Sequence, residues 1–185
     1  MTENSIIKAV YRWRVRAAVV FIPIVILLSV PSMKSLLLGI AVCLLGLGIR
    51  AWASGHLKKE KELATSGPYR YCRNPLYLGN LILGLGITLG SRSWWVFLIF
   101  IAHFLIFYPL VIKKEQARMK ELFPGEYDEY RRRVPMFFPS LRQPVGGRKS
   151  RFSWALYRKN KEPRALIGTL VFWLILLAKI LLAGH

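Results

Sequence analysis

Acidic residues are scarce in this 185-residue chain: 9 Asp and Glu stand against 28 Lys and Arg, for a formal net charge of +19. Cysteine is scarce too. Cys43 and Cys72 lie far apart, with neither metal-ligand spacing nor a disulfide framework. The histidines, His56, His103 and His185, are scattered, so the sequence offers no metal site. There is no Walker loop, no Gly-x-Gly-x-x-Gly after a strand, no His-Glu-x-x-His and no Cys-x-x-Cys. Ser54-Gly55 and Ser66-Gly67 lack the surroundings of a nucleophile elbow. ATP-driven machines, soluble dinucleotide enzymes and common hydrolases are therefore without their signatures. Excess base alone fits nucleic acid. Yet 54% of the residues are hydrophobic, and that combination belongs to a membrane protein with basic cytoplasmic surfaces. No nucleic-acid partner is expected.

Five apolar runs follow: Val15 to Val30, Ser35 to Ala53, Leu76 to Gly90, Trp94 to Ile112 and Ala165 to Ala183. Each is slightly short of the roughly 20 residues of a comfortable span. Interfacial Tyr11, Trp13, Trp94 and Trp95, and snorkelling Arg16, Arg50 and Lys179, extend them. Pro23 is expected to kink the first run, and Gly39, Cys43 and Gly46 give the second a small-residue face. No signal-peptide cleavage site follows the first run, which reads as a retained anchor. Lys34, Arg92 and Lys179 alone among the 28 basic residues fall on one side of the resulting topology. Positive charge stays in the cytoplasm. The expected fold is thus all-α and polytopic, with about five transmembrane helices. The N-terminus and the catalytic face are expected to be cytoplasmic and the C-terminus outside. The whole chain, 1–185, reads as one membrane domain, with segments 54–74 and 113–164 forming the site.

Two polar patches face that side. Residues 67–79 read Gly-Pro-Tyr-Arg-Tyr-Cys-Arg-Asn-Pro-Leu-Tyr-Leu-Gly. Gly67, Pro68 and Pro75 punctuate the backbone, and Pro75 biases Asn74 away from helix. Residues 115–135 carry Glu115, Gln116, Tyr127, Tyr130 and Arg131 to Arg133, ending in Val134-Pro135. Helical spacing is expected from Lys113, with an interruption at Pro124-Gly125 and a short second helix. A mobile loop is expected from Gln143 to Ser153. The intervening hairpin leaves at Leu76 and returns at Ile112, so both patches are expected at one membrane depth, lining one pocket.

These motifs resemble the integral-membrane methyltransferases that include isoprenylcysteine carboxyl methyltransferases and phospholipid N-methyltransferases. That family shows Gly-Pro-Tyr, Arg-His-Pro and Tyr-x-Gly, then a Glu-Glu pair, Phe-Gly-x-Glu-Tyr-x-x-Tyr and Val-Pro. The resemblance covers roughly residues 46 to 139. It implies S-adenosylmethionine as cofactor without a Rossmann fold. By resemblance, Tyr69, Arg73, Asn74, Pro75, Tyr77 and Gly79 shape the cofactor pocket. Gly84 and Gly86 match a cofactor-side Gly-x-Gly, or else serve helix packing. Glu115 binds the cofactor's amino group, with Gln116 beside it. Arg133 is the candidate for a substrate or cofactor carboxylate. Tyr127 and Tyr130 either line the substrate site or pack. The catalytic set implied is Arg73, Asn74, Glu115 and Arg133. Two departures stand out: Asn74 replaces the histidine, and Gln116 replaces the second acid. Asn cannot titrate near neutrality, so position 74 supplies no general base.

The chemistry is consistent with these residue types. A sulfonium donor is favoured by aromatic faces and its zwitterionic end by an acid and a cation. A carboxylate acceptor needs no base, whereas an amine must lose a proton. An isoprenylcysteine-like carboxylate is therefore favoured slightly over a phospholipid amine. The partners expected are membrane lipids and a lipidic acceptor. Two other readings remain: a nicotinamide-dependent lipid or sterol reductase, since relatives of that kind share the region, and a non-catalytic membrane protein that binds anionic lipid.

Overall fold

The computed structural model describes residues 20–140 and 150–183. The N-terminal basic arm with Tyr11, Trp13 and Arg16, the start of the first apolar run, residues 141–149, which hold most of the loop expected from Gln143 to Ser153, and His185 lie outside the described residues. All regular structure among the described residues is helical. Residues 20–28 form α1. There follow α2 (Met33–Ser54), a 3-10 turn (Gly67–Arg70), α3 (Pro75–Ser91), α4 (Trp94–Leu122), α5 (Glu126–Arg133), α6 (Trp154–Lys159) and α7 (Pro163–Ala183).

The protein is an all-α polytopic membrane protein. Helices α2, α4 and α7 have 22, 29 and 21 residues, and each contains an 18-residue stretch with a mean hydropathy of 2.1, 2.4 and 2.5 respectively. At about 1.5 Å rise per residue each can cross a hydrocarbon core of about 30 Å. Helix α3, with 17 residues, is apolar but shorter. The apolar run to Ile112 and the helical stretch expected from Lys113 form one helix: α4 runs without interruption through Pro109 into its polar end at Leu122. Leu37, Leu38, Leu44, Leu45, Leu105, Ile106, Leu170 and Leu174 are exposed. Such surfaces on apolar helices suit lipid rather than water.

Contacts divide the chain into two units. The first comprises Met1–Cys43, Gly84–Glu115 and Thr169–His185. Its α2 starts with reciprocal caps: Ser35 N–H donates to Ser32 Oγ at 3.2 Å, and Ser32 N–H donates to Ser35 Oγ at 2.9 Å. That is a capping box with serine in the usual Glu position. A Cβ at Gly39 would overlap Trp173 and the backbone of Gly86 and Gly90. Glycine here permits α2 and α3 to approach backbone to backbone. His103 sits among Phe21, Phe107 and Tyr108, with ring centroids 4.9 to 6.4 Å away, an aromatic packing role.

Helix α1 ends on a cation from another element. Lys179 Nζ donates to the carbonyls of Ile26, Leu27 and Ser29 at 2.8, 3.0 and 2.7 Å. The last carbonyls of a helix have no intrahelical donors, and a positive charge there also opposes the macrodipole. All three ammonium protons are used. Lys179→Met is expected to destabilise the protein by about 2 kcal/mol. Thermal unfolding in detergent checks this: a lowered midpoint is expected, and an unchanged one counts against the cap.

The second unit comprises Leu44–Leu83 and Gln116–Gly168. Its core joins Leu63, Tyr127, Tyr130 and Val134, with Met119 and Phe123 packed against them. Gly46 faces the backbone of Gly79 and Leu83, and the Arg50 stem crosses Gly79, so α2 and α3 also approach closely here.

Candidate active site

The Gly-Pro-Tyr and Arg-Asn-Pro block folds as a 3-10 turn leading into a helix start. Gly67 has φ +56°, and a Cβ there would overlap the His56 ring. Glycine is required on both counts. Pro68 preorganises the turn, and Tyr69 is buried behind it. Pro75 opens α3, where its missing N–H is no loss. Asn74 precedes it as N-cap, its carbonyl accepting from Tyr77 and Leu78 N–H at 3.1 Å.

This block is laced to residues 127–140. Arg73 N–H donates to Pro135 O at 2.9 Å, and Ser140 N–H donates to Tyr71 O at 3.0 Å. Asn74 Nδ2 donates to Met136 O at 2.8 Å. The Cys72 thiol donates to Phe137 O at 2.8 Å. Tyr130 OH donates to Tyr69 O at 2.7 Å, and Arg73 Nη1 donates to Tyr127 OH at 3.3 Å. Burial pushes the Cys72 thiol up to about 11 and the Tyr130 hydroxyl upward as well. Both stay protonated near neutrality and remain donors. The two sequence motifs, about 50 residues apart at Arg73 and Tyr127, thus form one polar structure.

Two donors in the unit are unspent. Arg73 Nε and Gln116 Nε2 are buried and have no hydrogen-bond partner. Buried donors are normally satisfied, so these two mark places where an acceptor belongs. The Asn74 amide, by contrast, is occupied by Met136. Tyr77 is buried at the start of α3. Gly79 lies under Arg50 and against Gly46, a close-packing role. Arg133 is exposed and pairs with Glu129 at 2.5 Å, an i,i+4 surface pair of small energetic weight. Its guanidinium is spent on Glu129 at the surface. Glu115, Gly84 and Gly86 belong to the first unit. There, Cβ atoms at Gly84 and Gly86 would overlap Phe100 and Cys43 respectively, so both glycines allow a close approach of neighbouring side chains.

Sequence reasoning missed a second polar centre in this unit. Arg50 Nε and Nη2 donate to Glu162 Oε1 and Oε2 at 2.6 and 3.0 Å, and Arg50 Nη1 donates to Asn80 Oδ1. Glu162 is 5% exposed. Asn160 Nδ2 donates to the Ser54 and Leu57 carbonyls at 2.9 Å each, covering the end of α2. The available signal was Glu162 itself, the one acid between Gln143 and Arg164.

His56 was also passed over. It is buried, 3.1 Å from Ser66 Oγ through Nδ1, and has Phe152 at its edge. Burial lowers its pKa below 6.5. The folded state therefore resists protonation while the unfolded chain accepts it. Stability is unaffected above the unfolded pKa and declines as pH falls below about 6.5. Denaturant midpoints measured from neutral to mildly acidic pH should show this decline. His56→Gln should flatten it, and an equal decline in the variant would exclude His56 as its source.

Residues 34–126, half of the chain, match the phospholipid methyltransferase family. The chain belongs to that family. Among relatives of this phospholipid methyltransferase family member, cobalt-zinc-cadmium resistance protein CzcN of Cupriavidus metallidurans is 38% identical over 57% of this chain and 48% of its own length. Nickel-cobalt-cadmium resistance protein NccN of Alcaligenes xylosoxydans xylosoxydans is 33% identical over 70% of this chain and 63% of its own. Protein-S-isoprenylcysteine O-methyltransferase of Schizosaccharomyces pombe is 32% identical over 45% of this chain and 35% of its own. The chain thus spans less than two thirds of each of these relatives. No solved structure matches.

Proposed function

We propose that the protein transfers a methyl group from S-adenosylmethionine to a lipidic acceptor at the laced 66–75 and 127–140 structure. The observation that carries this reading is the buried, unpartnered Arg73 Nε within the family's matched region. Gln116 Nε2 supplies a second such donor. These donors fit the carboxylate and hydroxyl acceptors of the cofactor, and Tyr69, Tyr77 and Tyr127 supply aromatic surface suited to a cationic sulfur. When bound, S-adenosylmethionine supplies an electrophilic methyl group. The protein's part is to orient it, exclude water and leave the acceptor lone pair unobstructed.

The acceptor is an already ionised oxygen nucleophile, a carboxylate on a lipid. Asn74 provides no base and its amide is engaged with Met136. The O-methyltransferase relative supports oxygen over nitrogen. The metal resistance in the other relatives' names does not specify a reaction. Among the described residues no group of three or more His, Cys, Asp and Glu could hold a metal ion.

Calorimetric titration of purified protein with S-adenosylmethionine and with NADPH tests the reaction class. Binding of the first and not of the second is expected; the reverse supports the reductase reading. Lipid methylation in reconstituted membranes should vary little between about pH 6 and 8, because a carboxylate with pKa near 4 is ionised throughout. A steep rise with pH, at saturating donor and acceptor, favours an amine.

A further inference from the structure

Residues 150–164 form an unusual surface. Phe152, Trp154 and Tyr157 form an edge-to-face row with centroids 5.0 and 5.5 Å apart. Trp154 is 68% exposed although it is a large aromatic at a helix start. Trp154, Ala155 and Arg158 line a shallow, open surface hollow. Arg151, Arg158, Lys159, Lys161 and Arg164 are all exposed. The segment's one acid, Glu162, is buried and neutralised by Arg50. What the segment shows to its surroundings is therefore aromatic and cationic only.

The segment is also held in a fixed pose within its unit. Ser153 caps α6 by accepting from Leu156 N–H, and Ser153 N–H donates to Gly55 O at 3.0 Å. Phe152 covers Gly55, where a Cβ would overlap its ring. Asn160 and Glu162 bind α2, as described above. Lys161 adopts φ +60°, making the sharp turn from α6 into α7. Helix α7 then enters its apolar stretch, which puts α6 beside the end of a membrane-crossing helix.

We propose that residues 150–164 form a preset binding site for anionic phospholipid at the membrane surface. The guanidinium and ammonium groups of Arg158 and Lys159 hold the phosphodiester, and Trp154 and Phe152 pack the glycerol and upper acyl chain. Aromatic rings favour this interfacial depth. Each cation near an anionic leaflet is worth about 1 kcal/mol, roughly fivefold in local lipid occupancy. Charge complementarity selects a lipid surface over an apolar protein partner. The buried Arg50–Glu162 pair neutralises the one acid within residues 150–164. This site is separate from the transferase reading, and failure of either leaves the other standing.

The test uses the full chain in nanodiscs containing brominated phosphatidylglycerol or brominated phosphatidylcholine at equal mole fraction. The Trp154 contribution to fluorescence is the difference between wild type and Trp154→Phe. Quenching of that contribution is expected to be severalfold greater with phosphatidylglycerol. The preference should be largely abolished in Arg158→Gln/Lys159→Gln, two exposed positions whose change spares the fold. High salt should reduce the wild-type preference as well. Equal quenching by the two lipids overturns the proposal. So does an undiminished preference in the double variant. Quenching of Trp154 by aqueous acrylamide with none by either lipid also overturns it and points to a soluble acidic partner.

Discussion

Glu162→Ala is expected to destabilise the protein by about 3 to 5 kcal/mol, the range for removing one partner of a buried ion pair. The loss is not the strength of the pair itself. It arises because Arg50, with 17% of its side chain exposed, keeps its charge and loses its counterion. Asn80 can offer it one neutral acceptor only. Glu162→Gln keeps the shape and one acceptor, so its loss should be smaller. The double variant Arg50→Met/Glu162→Leu removes both charges and should recover most of the stability. Unfolding by denaturant in detergent, with the single variants Arg50→Met and Glu162→Leu added to complete the cycle, gives the coupling directly. Near-additive losses in the double variant would mean that the pair is not a buried unit. Because Glu162 also holds the α6 segment to α2, limited proteolysis near residues 150–160 should accelerate in Glu162→Ala ahead of global unfolding.

The membrane helices were legible because their signal is local. Apolar composition over about 20 residues fixes a span whatever its neighbours do, and α2, α4 and α7 meet it. The Gly-Pro-Tyr and Asn-Pro dipeptides also act locally, through φ restriction and capping, and they produced the turn at Gly67–Arg70 and the start of α3. The continuity of α4 through Ile112 was not legible, since an apolar-to-polar change in composition does not interrupt a helix that has suitable propensity on both sides. Side-chain partners across long separations were hidden too. Arg50 reads as a snorkelling residue at the end of a span, and only the fold gives it Glu162, 112 residues later. Arg133 was picked by its place before Val-Pro, yet α5 is short and amphipathic. The helix buries Tyr127 and Tyr130 and turns Arg133 outward. Periodicity alone does not separate them, because Tyr130 and Arg133 are an i,i+3 pair on neighbouring sides of the helix. Asn74 shows a different limit. Its inability to titrate follows from the sequence, while its engagement by Met136 O depends on a loop whose path no local rule specifies.

Arg73→Ala is expected to weaken S-adenosylmethionine binding by roughly 10- to 100-fold, the loss of a charge-assisted hydrogen bond in a buried setting. Arg73 is half-buried, its backbone is held by Pro135, and Nη1 is used on Tyr127. Its Nε is the free donor. Under the proposed function two roles are therefore mixed in one side chain: tethering α5 and receiving the ligand. Tyr127→Phe separates them. It deletes the tether's hydroxyl while leaving the guanidinium in place, so it should lower stability by about 1 kcal/mol and leave cofactor affinity largely intact. Arg73→Lys keeps the charge but loses the planar fork, and is expected to fall between wild type and Arg73→Ala in affinity. Calorimetric titration on the four proteins, each checked for folding by thermal unfolding, gives the order. Equal affinities across the Arg73 series would remove this residue from the binding site. Parallel losses of affinity in Arg73→Ala and Tyr127→Phe would reduce its role to holding α5, and the ligand would then need a different cation.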